Sequence, residues 1–178
     1  MPVRKSVLSE QALLEAARVR ARRELADLDL RRFAVEQVKT GRSQDAIADA
    51  LGTSQAQISR WVAEVVAHPR SLAVTVDELV NRTLVGEISA PDLVTRLDEV
   101  KVAYVNPDKR PHSPWAKLRD AHRRGVLSDA DTRLIARRTA ERMVHRVNRH
   151  MDLEAQPVSD GATERSVDEA TERLLRTL

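Results

Sequence analysis

Residues 42–60 concentrate neutral hydrogen-bonding side chains: Ser43, Gln44, Thr53, Ser54, Gln55, Gln57 and Ser59, with Arg42 and Arg60 at the two ends. Hydroxyls, carboxamides and guanidiniums at this density suit recognition of base edges and phosphates, not bond-making chemistry. Gln55 is able to contact adenine bidentately, and Arg60 suits guanine O6 and N7 or a phosphate. Ser54, Gln57 and Ser59 fall on the same stretch for base readout, and Ala56 suits a thymine methyl. Arg42, Ser43, Gln44 and Thr53 are assigned to backbone phosphate, with Ser43 and Gln44 helped by the positive end of a helix.

The same stretch carries the scaffold such groups need. Two helices that cross closely require a tiny residue at the crossing, which Ala48 provides. The turn requires a residue at ease at positive φ, and Gly52 follows four positions later. Ile47 and Leu51 on the first helix, with Ile58, Trp61 and Val62 on the second, close the apolar triangle of a helix-turn-helix. An ordinary helical hairpin accounts for those apolar positions. It does not account for a second helix whose first turns carry no acidic residue. The expected partner is therefore double-stranded DNA.

Helix punctuation is dense along the rest of the chain. Ser9 is expected to cap a helix to about residue 28, with Leu13, Leu14, Ala17, Ala21 and Leu25 on one face. Asp29 is expected to cap the next, with Phe33, Val35 and Val38, up to Thr40-Gly41. Ser43 opens a short helix, and Ser54 or Thr53 opens another that reaches about Ala67. Beyond a break at His68-Pro69-Arg70, a capping box at Thr75–Glu78 starts a helix to Val85. Ser89 starts one to about Tyr104, Ser113 with Pro114 one to Gly125, and Ser128 the longest, with Ala136, Ala140, Met143, Val144, Val147 and Met151 aligned. Residues 155–163 read as a linker before a last amphipathic helix with Val167, Ala170, Leu174 and Leu178. The expected fold is all-α. Residues 1–68 form an arm and helix-turn-helix domain, 69–74 a linker, and 75–178 an α-helical C-terminal domain. Aromatic content of 2% requires aliphatic cores between helices.

Charge is unevenly spread. Residues 109–150 carry 12 basic and 4 acidic side chains, whereas the flanks 71–108 and 151–178 each carry 3 and 7. The basic excess is thus far from the helix-turn-helix. One expectation is a second DNA-contacting surface in which Lys109, Arg110, His112, Lys117, Arg123, Arg124 and Arg137 meet phosphates. The competing one is that the acidic flanks fold over the block and neutralise it. Each neutralised phosphate adds about 0.9 to the salt dependence of log K. A helix-turn-helix domain at net +3 needs further cations or a symmetric partner.

Other function classes find little support. The chain has no cysteine, so thiolate zinc sites and cysteine nucleophiles are excluded. No glycine-rich phosphate loop is present and the five histidines show no metal spacing, so neither catalysis nor a cofactor is expected. A tyrosine recombinase wants its tyrosine after the Arg/His cluster, and the single tyrosine, Tyr104, precedes it. Nothing resembles a signal peptide or a membrane span, which points to the cytoplasm.

The Gln44–Gln55 arrangement resembles that of the lambdoid phage repressors, in which two glutamines brace each other. The wider layout resembles the immunity repressors of temperate phages of mycobacteria and related actinobacteria. Ser43–Trp61, the break at His68-Pro69, the basic helical half and the arginine-for-lysine bias carry this resemblance. It implies repression of lytic genes, superinfection immunity, and monomers binding asymmetric sites. The alternative is a dimeric regulator, an antitoxin or host transcription factor, whose C-terminal half mediates association, the last helix supplying a short seam.

Overall fold

The computed structural model describes residues 8–100, 110, 113–151 and 160–177. Among them are eight helices and no strand, so the fold is all-α. The chain divides into two compact units, Met1–Val74 and Thr75–Leu178.

The first unit contains α1 (Glu10–Lys39), α2 (Gln44–Leu51) and α3 (Gln55–Ala67). Ser9 caps α1 by accepting from the Ala12 N–H at 3.2 Å. The expected break at Asp29 does not occur, and α1 is one continuous helix. An aspartate in a helix interior costs at most about 0.7 kcal/mol relative to alanine. With no Gly or Pro beside it, nothing forces a stop. The buried face of α1 follows expectation at Ala21, Leu25 and Val35 but not at Leu13 or Phe33. Ala34 is fully buried, whereas Phe33 is 49% exposed and Leu13 52% exposed. A small residue lets α2 and α3 come close, and that phase turns the adjacent ring outward. Ala34, Ile47, Ala48 and Ile58 form the core, with Val38, Leu51, Trp61 and Val62 packed around them. Residues 69–74 fall within this unit. The Arg32 guanidinium donates to the Leu72 carbonyl through Nε at 3.1 Å and Nη2 at 2.9 Å.

The second unit contains α4 (Val76–Val85), α5 (Ala90–Glu99), α6 (Pro114–Arg123), α7 (Asp129–Met151) and α8 (Asp160–Leu175). Thr75, Ser89 and Ser113 cap α4, α5 and α6 through their hydroxyls. Ser89 and Asp92 form a reciprocal capping box. The Ser89 hydroxyl and then its backbone N–H hold the Asp92 carboxyl below the usual carboxylate range. Ser128 and Asp131 exchange the same pair of bonds at the start of α7, each at 3.1 Å. The helix α5 ends at Glu99, and the expected extension to Tyr104 lies outside the described residues. Residues 160–163, expected in a linker, form the first turn of α8. A carboxylate at Asp160 favours a helix start, and one glycine costs only about 1 kcal/mol there.

Trp115 is fully buried at the centre of this unit, among Leu79, Leu93, Leu118, Ile135 and Leu174. Its indole Nε1–H donates to Thr177 Oγ1 at 3.1 Å, which anchors the end of α8. On α7, Ala136 and Ala140 are buried as expected, but Met143 is 39% exposed. The two alanines bring α7 close to its neighbours, and Met143 falls outside that contact. No described helix is long and apolar enough to cross a membrane.

Candidate nucleic-acid interface

The helix-turn-helix is built from its caps inward. Ser43 starts α2 by accepting from the Ala46 N–H at 3.3 Å, and Ser54 starts α3 by accepting from the Gln57 N–H at 3.2 Å. Between them Gly52 sits at φ +62°, a left-handed conformation that costs a β-carbon-bearing residue roughly 1–2 kcal/mol. The Thr53 N–H then bonds back to the Ala48 carbonyl at 3.0 Å, closing the turn. Ala48 and Ile47 on α2 meet Ile58 on α3 beneath this turn, and all three are buried.

That packing brings the two predicted glutamines together. Gln55 Nε2 donates to Gln44 Oε1 at 2.8 Å across the turn. Gln55 remains exposed at the first position of α3, as do Ser59 and Arg60, while Gln57 and Gln44 are half-buried. Arg60 does not extend freely. Its Nη2 donates to Gln57 Oε1 at 2.6 Å, and its Nε approaches the Ala56 carbonyl at 3.4 Å. Ser54, predicted for base readout, has its oxygen occupied as the helix cap, so only its O–H is left to donate outward. Arg42 is exposed just ahead of α2, and Thr53 is half-buried in the turn.

The charge of this motif is modest. Over residues 42–60 the cations Arg42 and Arg60 face Asp45 and Asp49 on the same motif, so the net charge is zero. Such a surface offers neutral donors and acceptors, and contributes little long-range attraction to a polyanion.

The basic block sorts into two groups. Lys117 forms an ion pair with Asp77 of α4. Asp98 of α5 receives both Arg138, at 2.5 Å, and Arg142 of α7. The acidic flank therefore does fold onto part of the block. Arg137 pairs with Glu141 at 3.3 Å along the exposed side of α7. In contrast, Arg110, Arg123 and Arg133 are exposed and form no ion pair among the described residues. Arg124 is exposed at the end of α6, its Nε donating to the Asp120 carbonyl at 3.0 Å. Lys109 and His112 lie outside the described residues. The bridging role of Asp98 had no local signal, since its arginines are 40 and 44 residues away.

Replacing Asp98 with alanine removes a carboxylate shared by two guanidiniums. All three groups are about a third exposed, so solvent screens the loss. A destabilisation of about 1 kcal/mol is expected, larger in low salt than in high salt, measured by urea unfolding.

No known protein family, curated protein or solved structure matches the chain.

Proposed function

We propose that this chain is a sequence-specific double-stranded DNA-binding repressor of transcription that reads its operator through α3. The observation that carries the reading is the Gln55–Gln44 bond across the αL turn at Gly52. It fixes a carboxamide at the exposed start of a helix whose first turn holds no acid. A fixed carboxamide there is organised for the N7 and N6 groups of adenine in the major groove.

The neutral motif needs attraction from elsewhere, and the exposed arginines of the second unit are the source. Arg123 and Arg124 at the end of α6, with Arg110, are the proposed phosphate contacts. Lys117 is already paired to Asp77 and contributes less than the sequence suggests. With both units of one monomer contributing, the operator is asymmetric and one chain occupies it. The resemblance to immunity repressors of temperate actinobacteriophages supplies the biological role: maintenance of lysogeny and superinfection immunity, exercised in the bacterial cytoplasm.

Two variants separate reading from attraction. Arg60→Ala is expected to cost about 1–3 kcal/mol on the operator and to relax discrimination at one or two base pairs. Arg123→Ala with Arg124→Ala is expected to weaken binding to all sequences and lower the salt slope by up to about 2. Fluorescence anisotropy across a salt series, on operator and scrambled duplexes, measures both. Unchanged salt dependence in the double variant would remove the second unit from the interface.

A further inference from the structure

Arg60 is held back against its own helix, α3. A guanidinium has two edges able to make paired bonds: a side edge formed by Nε and Nη2, and an end edge formed by Nη1 and Nη2. In this structure the side edge is turned onto the helix, with Nη2 on Gln57 Oε1 at 2.6 Å and Nε toward the Ala56 carbonyl at 3.4 Å. Arginine has no acceptor, so it is the oxygen of the Gln57 amide that must face it. The end edge is left intact on an exposed side chain.

We infer that Gln57 is a positioning residue that presents the end edge of Arg60 to guanine, setting a guanine in the operator. The inference rests on the proposed reading of DNA through α3. With the Gln57 oxygen committed, the edge that Gln57 and Arg60 offer together consists of N–H groups. Among the base pairs, guanine alone presents two acceptors, O6 and N7, to the major groove from one base. Adenine and cytosine each place an amino donor there, which a donor-only edge opposes. Gln57 itself, though a glutamine on a recognition helix, is thereby removed from adenine readout. Gln55 keeps that role, so the two glutamines of α3 do different things.

The register follows from helix geometry. The guanidinium is drawn back to the level of Gln57, two residues from Gln55. At a rise of about 1.5 Å per residue that is about 3 Å, close to the ~3.4 Å of one base-pair step. The guanine is placed within two base pairs of the adenine read by Gln55.

The test is selection from randomised duplex DNA with the full-length chain and three variants. Affinity for scrambled duplex and the thermal melt are measured alongside. The wild type is expected to enrich a guanine within two base pairs of an adenine. Arg60→Ala should lower that guanine preference at least about tenfold. Gln57→Ala should lower it several-fold with unchanged melting and unchanged affinity for scrambled duplex. Gln57→Glu, which keeps the acceptor at the same reach, should retain the preference while weakening binding to all DNA. A Gln57→Ala protein with the wild-type guanine preference overturns the inference. So does an Arg60→Ala protein that loses affinity equally for every sequence, which would make Arg60 a phosphate contact. If the wild type enriches no sequence, the reading of DNA through α3 falls and this inference with it.

Discussion

Trp115→Ala is expected to destabilise the second unit strongly while leaving the first intact. The indole is fully buried at the centre of that unit's core and donates to Thr177, the residue that ties down the end of α8. Removing it leaves a cavity that helices of this length are unable to close, at a cost of about 3–5 kcal/mol. Against a total stability of about 5–15 kcal/mol for a domain, that is a large fraction. The midpoint should fall by more than about 10 °C for a unit of this size. The chain has two tryptophans, Trp61 in the first unit and Trp115 in the second. In the variant, Trp61 fluorescence therefore reports the first unit alone. Circular dichroism should lose helix at low temperature while Trp61 emission holds to the original transition. One unshifted transition seen by both probes would contradict this account of the core.

The second large effect is at the crossing of α2 and α3. Ala48→Leu adds three carbons where Ala34, Ile47 and Ile58 already close on one another. Overpacking of this kind costs about 1–3 kcal/mol and is relieved by displacement of the helices. Displacing α3 by an ångström breaks the Gln55–Gln44 bond and shifts every group meant for a base edge. Specific binding should drop more than about 100-fold, while attraction to scrambled duplex, which we propose is carried by the exposed arginines of the second unit, is little changed. Operator and scrambled affinities measured in parallel check it. Equal loss on both duplexes would mean that the substitution had disturbed more than the reading helix.

How far the amino-acid sequence foretold this structure depends on the range over which each feature is determined. The starts at Ser9, Ser43, Ser54, Ser89 and Ser113 and the turn at Gly52 were legible because a cap or an αL residue acts within four residues of itself. The apolar triangle of Ile47, Leu51 and Ile58 was legible for the same reason. Continuity of α1 through Asp29 was not. An interior aspartate is only mildly unfavourable in a helix, and no glycine or proline lies beside Asp29 to stop α1 there. The outward turn of Phe33 was also hidden, since hydrophobicity ranks a phenylalanine above the alanine beside it. Close helix packing selects the smaller side chain.

The candidate site divides in the same manner. Gln44 and Gln55 could be paired through the resemblance to the lambdoid phage repressors, and the structure joins them at 2.8 Å. The Gln57–Arg60 bond lies at an i,i+3 spacing that permits contact without requiring it. The sorting of the basic block was illegible, because it depends on which helices pack side by side. Asp77 and Asp98 meet their cations only once α4 is beside α6 and α5 beside α7. A charge count over the segment treats Lys117, Arg138 and Arg142 as equal to Arg123, and the folded chain does not.

The most direct test of the central claim is the ratio of affinities of the full-length chain for its best selected duplex and for a scrambled duplex. It is measured at about 0.15 M salt, with stoichiometry determined on the same complex. A helix-turn-helix that reads bases through α3 predicts a ratio of about 10³ or more, with one chain on an asymmetric site. A ratio near one would contradict it and leave a basic helical protein that binds DNA, if at all, through charge alone.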